Sequence, residues 1–349
     1  MRPLRDGEQT ALLELAGLWP SPDEFPMRDV FARYVEEDPR FDARDVWLAE
    51  EGGVLASCVQ IFPRKMVMHG KSVPVGGIGT VFTHPARRGA GLARAVLRAA
   101  MADIQGRGME LGLLFAGPTG FYEPLGWSSW TVQRPLLRAV READAEALAA
   151  ADLFEPARDL AEVQEIHASY SRLRDGLCAR DLRDWRISLR NSGNPGEDFL
   201  VTRSSRRVVA YLRAVCLARF LVVMEWGRVA EAATELAGLF AALLTPRPDD
   251  ALAPAGRPSP EFRGVASAAP LLDEALEAAL TQRGIDVARS EDTGSMFWVA
   301  NPRALARRFG EPYRPRDVGD LEAPGVREAH LLGRILPPSR FAFWPADRF

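Results

Sequence analysis

The sequence predicts an α/β protein of the α+β kind, built as two strand-and-helix bodies in tandem, each with a mixed central sheet flanked by helices. Three observations lead there. A β-branched segment over 77–83 is followed by helical spacing of Leu92, Val96, Leu97, Met101 and Ile104, and then by a second apolar segment over 111–115. The order hairpin, strand, helix recurs in the second half, over 199–244. At 349 residues the chain also exceeds one small core, so two bodies of ordinary size are expected.

In chain order, Leu4 opens a short strand, and helices follow over 8–18 and 29–37, the latter with Val30, Phe31 and Tyr34 on one face. Segments 46–49 and 54–62 flank Glu50-Glu51-Gly52-Gly53, whose glycines supply hairpin turn chemistry. Residues 64–75 read as an inserted ribbon turning at Gly70, and the first domain is expected to span 1–134. The second, over 135–300, contains a hairpin of 199–202 and 208–217, a strand at 221–226 and a helix over 229–244. The stretch 245–263 is rich in Pro, Asp and Ala and reads as a loop. Then come an amphipathic helix over 270–283, a strand at 295–299 and a short helix over 301–309. Residues 301–349 form a C-terminal tail with many prolines, and its apolar Phe341, Phe343, Trp344 and Phe349 would dock it onto the body, toward the active site.

The chemistry concentrates at Arg88-Gly89-Ala90-Gly91-Leu92-Ala93, between the strand and the helix. The first amides of a helix lack intrahelical partners and lie at the positive end of its dipole, so an anion is favoured there. Gly89 and Gly91 admit phosphate oxygens close to the backbone, where a Cβ would stand in the way. A dinucleotide fold would instead need Gly-x-Gly-x-x-Gly with a later acidic residue, and a triphosphate loop would need the full Gly-x-x-x-x-Gly-Lys-Ser/Thr; neither full pattern occurs, since Gly70-Lys71-Ser72 has Lys65 where the first glycine would stand. The second half lacks any such loop: Gly227-Arg228-Val229-Ala230-Glu231 places carboxylates, with Glu235, where phosphate would have to sit.

Composition narrows the partners. Forty-four Lys and Arg against 47 Asp and Glu leave a net charge of −3, which argues against nucleic acid. Cys58, Cys178 and Cys216 stand apart, and His69, His84, His167 and His330 form no cluster, so neither disulfides nor a metal site are expected. With no apolar run of membrane-spanning length and no signal-peptide core, the expected setting is the cytoplasm, without a membrane partner.

Strand, Arg-x-x-Gly-x-Ala, helix, strand, and then Phe121-Tyr122-Glu123-Pro124-Leu125-Gly126-Trp127 resembles the GNAT superfamily of acyl-coenzyme A transferases. With a second, degenerate half and an aromatic C-terminus, the chain resembles in particular the Eis-like (enhanced intracellular survival) acetyltransferases. The resemblance implies tandem GNAT-like domains, the second degenerate, with acetyl-coenzyme A as cosubstrate and a small-molecule amine, aminoglycoside-like, as acceptor. It also implies self-association, as a hexamer. Carried over residue by residue, it makes Tyr122 the acid for the departing sulfur and the α-carboxylate of Phe349 the base. Val81, Phe82 and Thr83 would bind the pantetheine arm or thioester carbonyl through their amides, and Arg88, Gly89, Ala90, Gly91, Leu92 and Ala93 the pyrophosphate. One departure stands out: the family ends in a complete sterol-carrier-like domain, for which residues 295–349 are too short. A protein lysine or N-terminus as acceptor, and a coenzyme A-binding regulator without turnover, remain the alternatives. Asp23, Glu24, Asp29, Glu36, Glu37, Asp38 and Asp347 are the carboxylates available to attract a cationic acceptor.

Overall fold

The computed structural model describes residues 1–20, 27–140, 144–191, 197–217, 220–245, 265–268, 273–314, 325–344 and 347. In chain order the strands are β1 (Arg2–Pro3), β2 (Val46–Glu51), β3 (Val54–Met68), β4 (Lys71–Thr83), β5 (Leu111–Phe115), β6 (Ser128–Ser129), β7 (Val132–Ala139) and β8 (Asp152–Leu153), continuing with β9 (Glu197–Ser204), β10 (Arg207–Leu217), β11 (Phe220–Arg228), β12 (Val265–Ser267), β13 (Ile285–Asp292) and β14 (Ser295–Val299). They form two mixed sheets of seven strands, ordered β1-β2-β3-β4-β5-β14-β6 and β13-β7-β12-β11-β10-β9-β8.

The two sheets correspond strand for strand. An antiparallel meander, β2-β3-β4, leads through the Leu92–Gly106 helix to the parallel neighbour β5; β9-β10-β11 leads through the Ala233–Leu244 helix to the parallel neighbour β12. The next place in each sheet is filled from the other half of the chain. β14 pairs antiparallel with β5 in the first sheet, and β7 pairs antiparallel with β12 in the second. Each half therefore gives its last long strand to the other, and residue 134, the expected domain limit, falls inside β7.

Local sequence explains the central helix. Val96, Leu97, Ala100, Met101 and Ile104 recur at helical spacing and are buried against the first sheet. Apolar Leu236, Leu239, Phe240 and Leu243 do the same for the Ala233–Leu244 helix, which starts at Ala233 rather than at Val229 because Arg228 bonds the carbonyls of Val229 and Ala230 in a turn. The ribbon at 64–75 is not an insertion. It is the extension of β3 and β4 themselves, in register from Arg64↔Val75 to Met68↔Lys71, with Gly70 at φ 69° in the turn. The extension has a function in the fold: Val67 and Lys65 exchange backbone hydrogen bonds with Gly176, Leu177 and Ala179, so the second half docks along β3.

Helices Ala145–Ala150, Pro156–Arg172, Leu182–Asn191 and Val326–Ile335 are among the elements beyond the sequence expectations. The expected docking of the tail is present for Phe341, Phe343 and Trp344, all buried. Phe341 packs on Phe297 of β14, Phe343 on Phe115 at the end of β5, and Trp344 on Trp226 of β11. Phe349, Asp23, Glu24 and the stretch expected to loop after Thr245 lie outside the described residues. Among those described, no helix is long and apolar enough to cross a membrane.

Candidate active site

The site is created where two parallel strands part. β4 and β5 pair from Val75↔Leu111 to Ile78↔Leu114, after which β4 runs on to Thr83 without β5 beside it. A register slip between Cys58 and Gln60 of β3 inserts one extra residue into β4 at this point, and Thr80 takes a left-handed φ of 50°. A bulge re-aims the strand and frees its edge. The His84 amide donates to the Ala56 carbonyl at 2.9 Å, so alternation turns the Thr83 amide away from β3, toward the unpaired side. Behind the bulge the Thr80 hydroxyl lies 3.4 Å from Gln60 Oε1, and the buried Ser57 hydroxyl lies 3.0 Å from the Phe82 carbonyl and 2.8 Å from the Thr83 hydroxyl.

The loop after β4 is short and exposed. Pro85–Arg87 makes one 3₁₀ turn, with its Ala86 amide bonded to His84 Nδ1. The Arg88 guanidinium folds back, donating from Nε to the Thr83 carbonyl at 3.3 Å and lying over the Phe82 ring. Gly91 is the N-cap of the Leu92–Gly106 helix at φ 77°, without a side-chain cap, and Gly89 stands at φ 83°. A Cβ on either glycine would meet nothing within 4 Å, so within the protein itself these residues are required by backbone conformation, and the space before the loop is open. The helix N-terminus, the open space and Arg88 together suit a pyrophosphate.

Tyr122 closes the other wall. It is 8% exposed and belongs to the apolar cluster that includes Ile78, Val81, Leu92, Leu114, Ala116 and Phe121. Its ring stands edge-on to Phe121 and Trp127. Burial pushes the Tyr122 phenol up to about 12, so it stays protonated well above neutral pH. Trp127 is held by Trp298 of the exchanged strand β14, at 6.0 Å between ring centroids, and by Gly112, where a Cβ would come within 2.7 Å of the indole. The second half of the chain thus supports the wall that carries Tyr122. Sequence reasoning missed Trp298, Gln60 and Ser57, because nothing local marks them; only the strand exchange and the bulge bring them here.

Of the residues expected to act together, Val81 and Leu92 share a cluster with Tyr122, and Thr83, Arg88 and Gly91 follow one another from the end of β4 to the helix, while Phe349 lies outside the described residues. The carboxylates expected to draw an acceptor are partly occupied. Asp38 is buried and bound by Arg40, which also bridges to Asp184 of the second half, and Asp347 is bound by Arg180.

Residues 8–129 match the acetyltransferase (GNAT) domain family. A mycothiol acetyltransferase from Thermobispora bispora is 28% identical over 137 residues, which is 37% of this chain and 45% of that protein, so the likeness spans less than half of that relative's length. A GCN5-related N-acetyltransferase from Anabaena variabilis superposes with a TM-score of 0.64 at 14% identity, over 87% of this chain and 74% of that one. Eis1 from Mycobacterium abscessus superposes with a TM-score of 0.59 at 18% identity, over 90% of this chain and 76% of that one. Residues 8–129 thus carry a GNAT acetyltransferase domain, and the chain shares its fold with these solved structures.

Proposed function

We propose that the protein is an acetyl-coenzyme A dependent N-acetyltransferase whose acceptor is the primary amine of a small molecule. The observation that carries this reading is the splayed β4 edge ending in a glycine-capped helix, with Tyr122 in the apolar cluster that Val81 and Leu92 share. The amides at the start of the Leu92–Gly106 helix, with Arg88, Gly89, Ala90, Gly91, Leu92 and Ala93, would hold the pyrophosphate. The freed edge at Val81, Phe82 and Thr83 would bind the pantetheine arm and polarise the carbonyl. Bound there, the cosubstrate supplies an acetyl group on a thioester.

The chain's own part is orientation and proton transfer. An oriented carbonyl is attacked by a neutral amine, the carbon–sulfur bond breaks as the carbon–nitrogen bond forms, and the electron pair leaves with sulfur. Tyr122 gives its proton to that sulfur, and the proton lost by the amine restores the phenol through solvent. The base remains the α-carboxylate of Phe349 in this proposal. A small-molecule acceptor is favoured over a protein by the relative named for mycothiol acetylation.

Coenzyme A release over a panel of aminoglycosides, other small polyamines and lysine peptides tests the proposal. Turnover with small amines is expected. Turnover with peptides alone would replace the acceptor class, and tight acetyl-coenzyme A binding without turnover on any amine would favour the regulator.

A further inference from the structure

The second sheet retains the strand geometry of a cofactor site but fills it with charge. β10 and β11 slip register between Arg213↔Glu225 and Ala214↔Val223, one extra residue on β11, just as β3 and β4 slip between Cys58↔Phe82 and Gln60↔Gly79. Glu225 therefore occupies the place of Phe82, and Arg213 the place of Cys58. Nothing in the phosphate position survives: the turn after β11 has no glycine pair, and Arg228 is spent on carbonyls and on Asp273.

Around Glu225 lies an ion cluster almost without solvent. Arg180 binds it through both terminal nitrogens, at 2.6 and 3.1 Å, and Arg213 reaches it at 3.4 Å while bonding Glu197 at 2.8 Å and the Ser188 hydroxyl at 2.7 Å. The side chains of Arg180, Glu225, Arg213 and Glu197 are 1%, 0%, 4% and 2% exposed. Buried charges are tolerated only when matched by partners, so such a cluster fixes geometry more surely than it adds stability. Arg180 also binds Asp347, at 2.7 Å from Nε. Arg180 itself is set at the seam between the halves, directly after the Ala179 amide that bonds to Lys65 of β3.

We infer that the bulge of the second half, no longer a cofactor site, serves as an anchor for the C-terminal segment: Glu225, itself held by Arg213, holds Arg180, and Arg180 holds Asp347. Two further contacts bind the same segment, Trp344 against Trp226 on the neighbouring residue of β11 and the Ala342 amide to the Asp175 carbonyl at 3.0 Å. Between them Phe343 rests on Phe115 at the end of β5, where the candidate active site begins. Arg180 is thus a positioning residue: it acts on the site through the tail and touches no substrate. Its catalytic consequence rests on the proposed acetyltransferase activity; the anchoring does not.

The test uses the full chain with Asp347→Asn, Arg180→Lys and, as the conservative rescue, Asp347→Glu. Two quantities are measured, amide hydrogen exchange across residues 341–344 and steady-state turnover of the best amine of the panel. Losing one charge-assisted bond should speed local exchange about tenfold in Asp347→Asn. Turnover number should fall by a similar factor, roughly tenfold, with the KM for acetyl-coenzyme A changed by less than about twofold. Arg180→Lys should move both in the same direction, and Asp347→Glu should restore most of each. Unchanged exchange in Asp347→Asn overturns the anchor. Accelerated exchange with unaltered turnover overturns the positioning role. If the wild-type chain acetylates nothing, the functional proposal fails, while the exchange measurement still decides whether the anchor exists.

Discussion

Replacing Gly91 by glutamate should leave the fold standing and remove nearly all affinity for acetyl-coenzyme A. Gly91 sits at φ 77°, so any side chain there costs about 1–2 kcal/mol of left-handed backbone strain. No collision adds to this, because a Cβ meets nothing within 4 Å. A carboxylate at the N-terminus of the Leu92–Gly106 helix returns about 0.3–1 kcal/mol through the helix dipole. The net loss is then about 1 kcal/mol, a melting shift of a few degrees at most for a chain of this size. Binding suffers far more. Like charges about 4 Å apart near a protein surface repel by roughly 4 kcal/mol, close to a thousandfold in affinity. Calorimetric titration with acetyl-coenzyme A, beside thermal melts, separates the two effects, and Gly91→Ala supplies the control that carries the strain without the charge. A folded Gly91→Glu protein that binds acetyl-coenzyme A like the wild type would refute the placement of the pyrophosphate.

Four other outcomes follow from the same geometry. One acetyl-coenzyme A should bind per chain, since the second sheet has the bulge but no glycine loop; a calorimetric stoichiometry of two would mean that the turn after β11 also binds. Tyr122→Phe should lower the turnover number about 10²-fold with little change in cofactor affinity, the usual scale for a positioned proton donor, and wild-type turnover would assign the proton to another group. Because burial raises the Tyr122 phenol from its ordinary 10 to about 12, the stability it confers is complete below pH 10 and is lost as pH rises toward 12; equilibrium unfolding at pH 9 and 11 should show that loss in the wild type and less of it in Tyr122→Phe. Appending a short glycine-serine tail after Phe349 should suppress turnover if its α-carboxylate is the base, and full activity in the tailed protein would remove that role.

The first sheet's site was legible because its parts are contiguous in sequence. Strand, glycine loop, helix and second strand lie within 77–115, and hydrophobic spacing and turn chemistry determine such local elements. Tyr122 follows only a few residues later. What escaped was everything made by distant chain segments. The exchange of β7 and β14 cannot be seen in either strand's own pattern, since each reads as a strand wherever it pairs, and Trp298 acquires its place behind Trp127 only through that exchange. Nothing in the sequence marks Arg180, Arg213, Glu197 and Glu225, because arginines and carboxylates are rarely buried; their burial depends on mutual pairing across four segments. Gly89 and Gly91 were assigned a role in close approach to phosphate, and the structure adds a second requirement, their positive φ.

At the β4–β5 opening, we propose, this chain moves an acetyl group from coenzyme A to a small amine. The most direct test is mass-spectrometric analysis of the amine panel after incubation with acetyl-coenzyme A and the wild-type protein, with Gly91→Glu and Tyr122→Phe in parallel. An N-acetylated small amine is expected from the wild type, none above background from Gly91→Glu and about a hundredth of the rate from Tyr122→Phe. Wild-type product formed equally fast by the folded Gly91→Glu protein, or no acetylated amine from a wild-type protein that binds acetyl-coenzyme A, would contradict it.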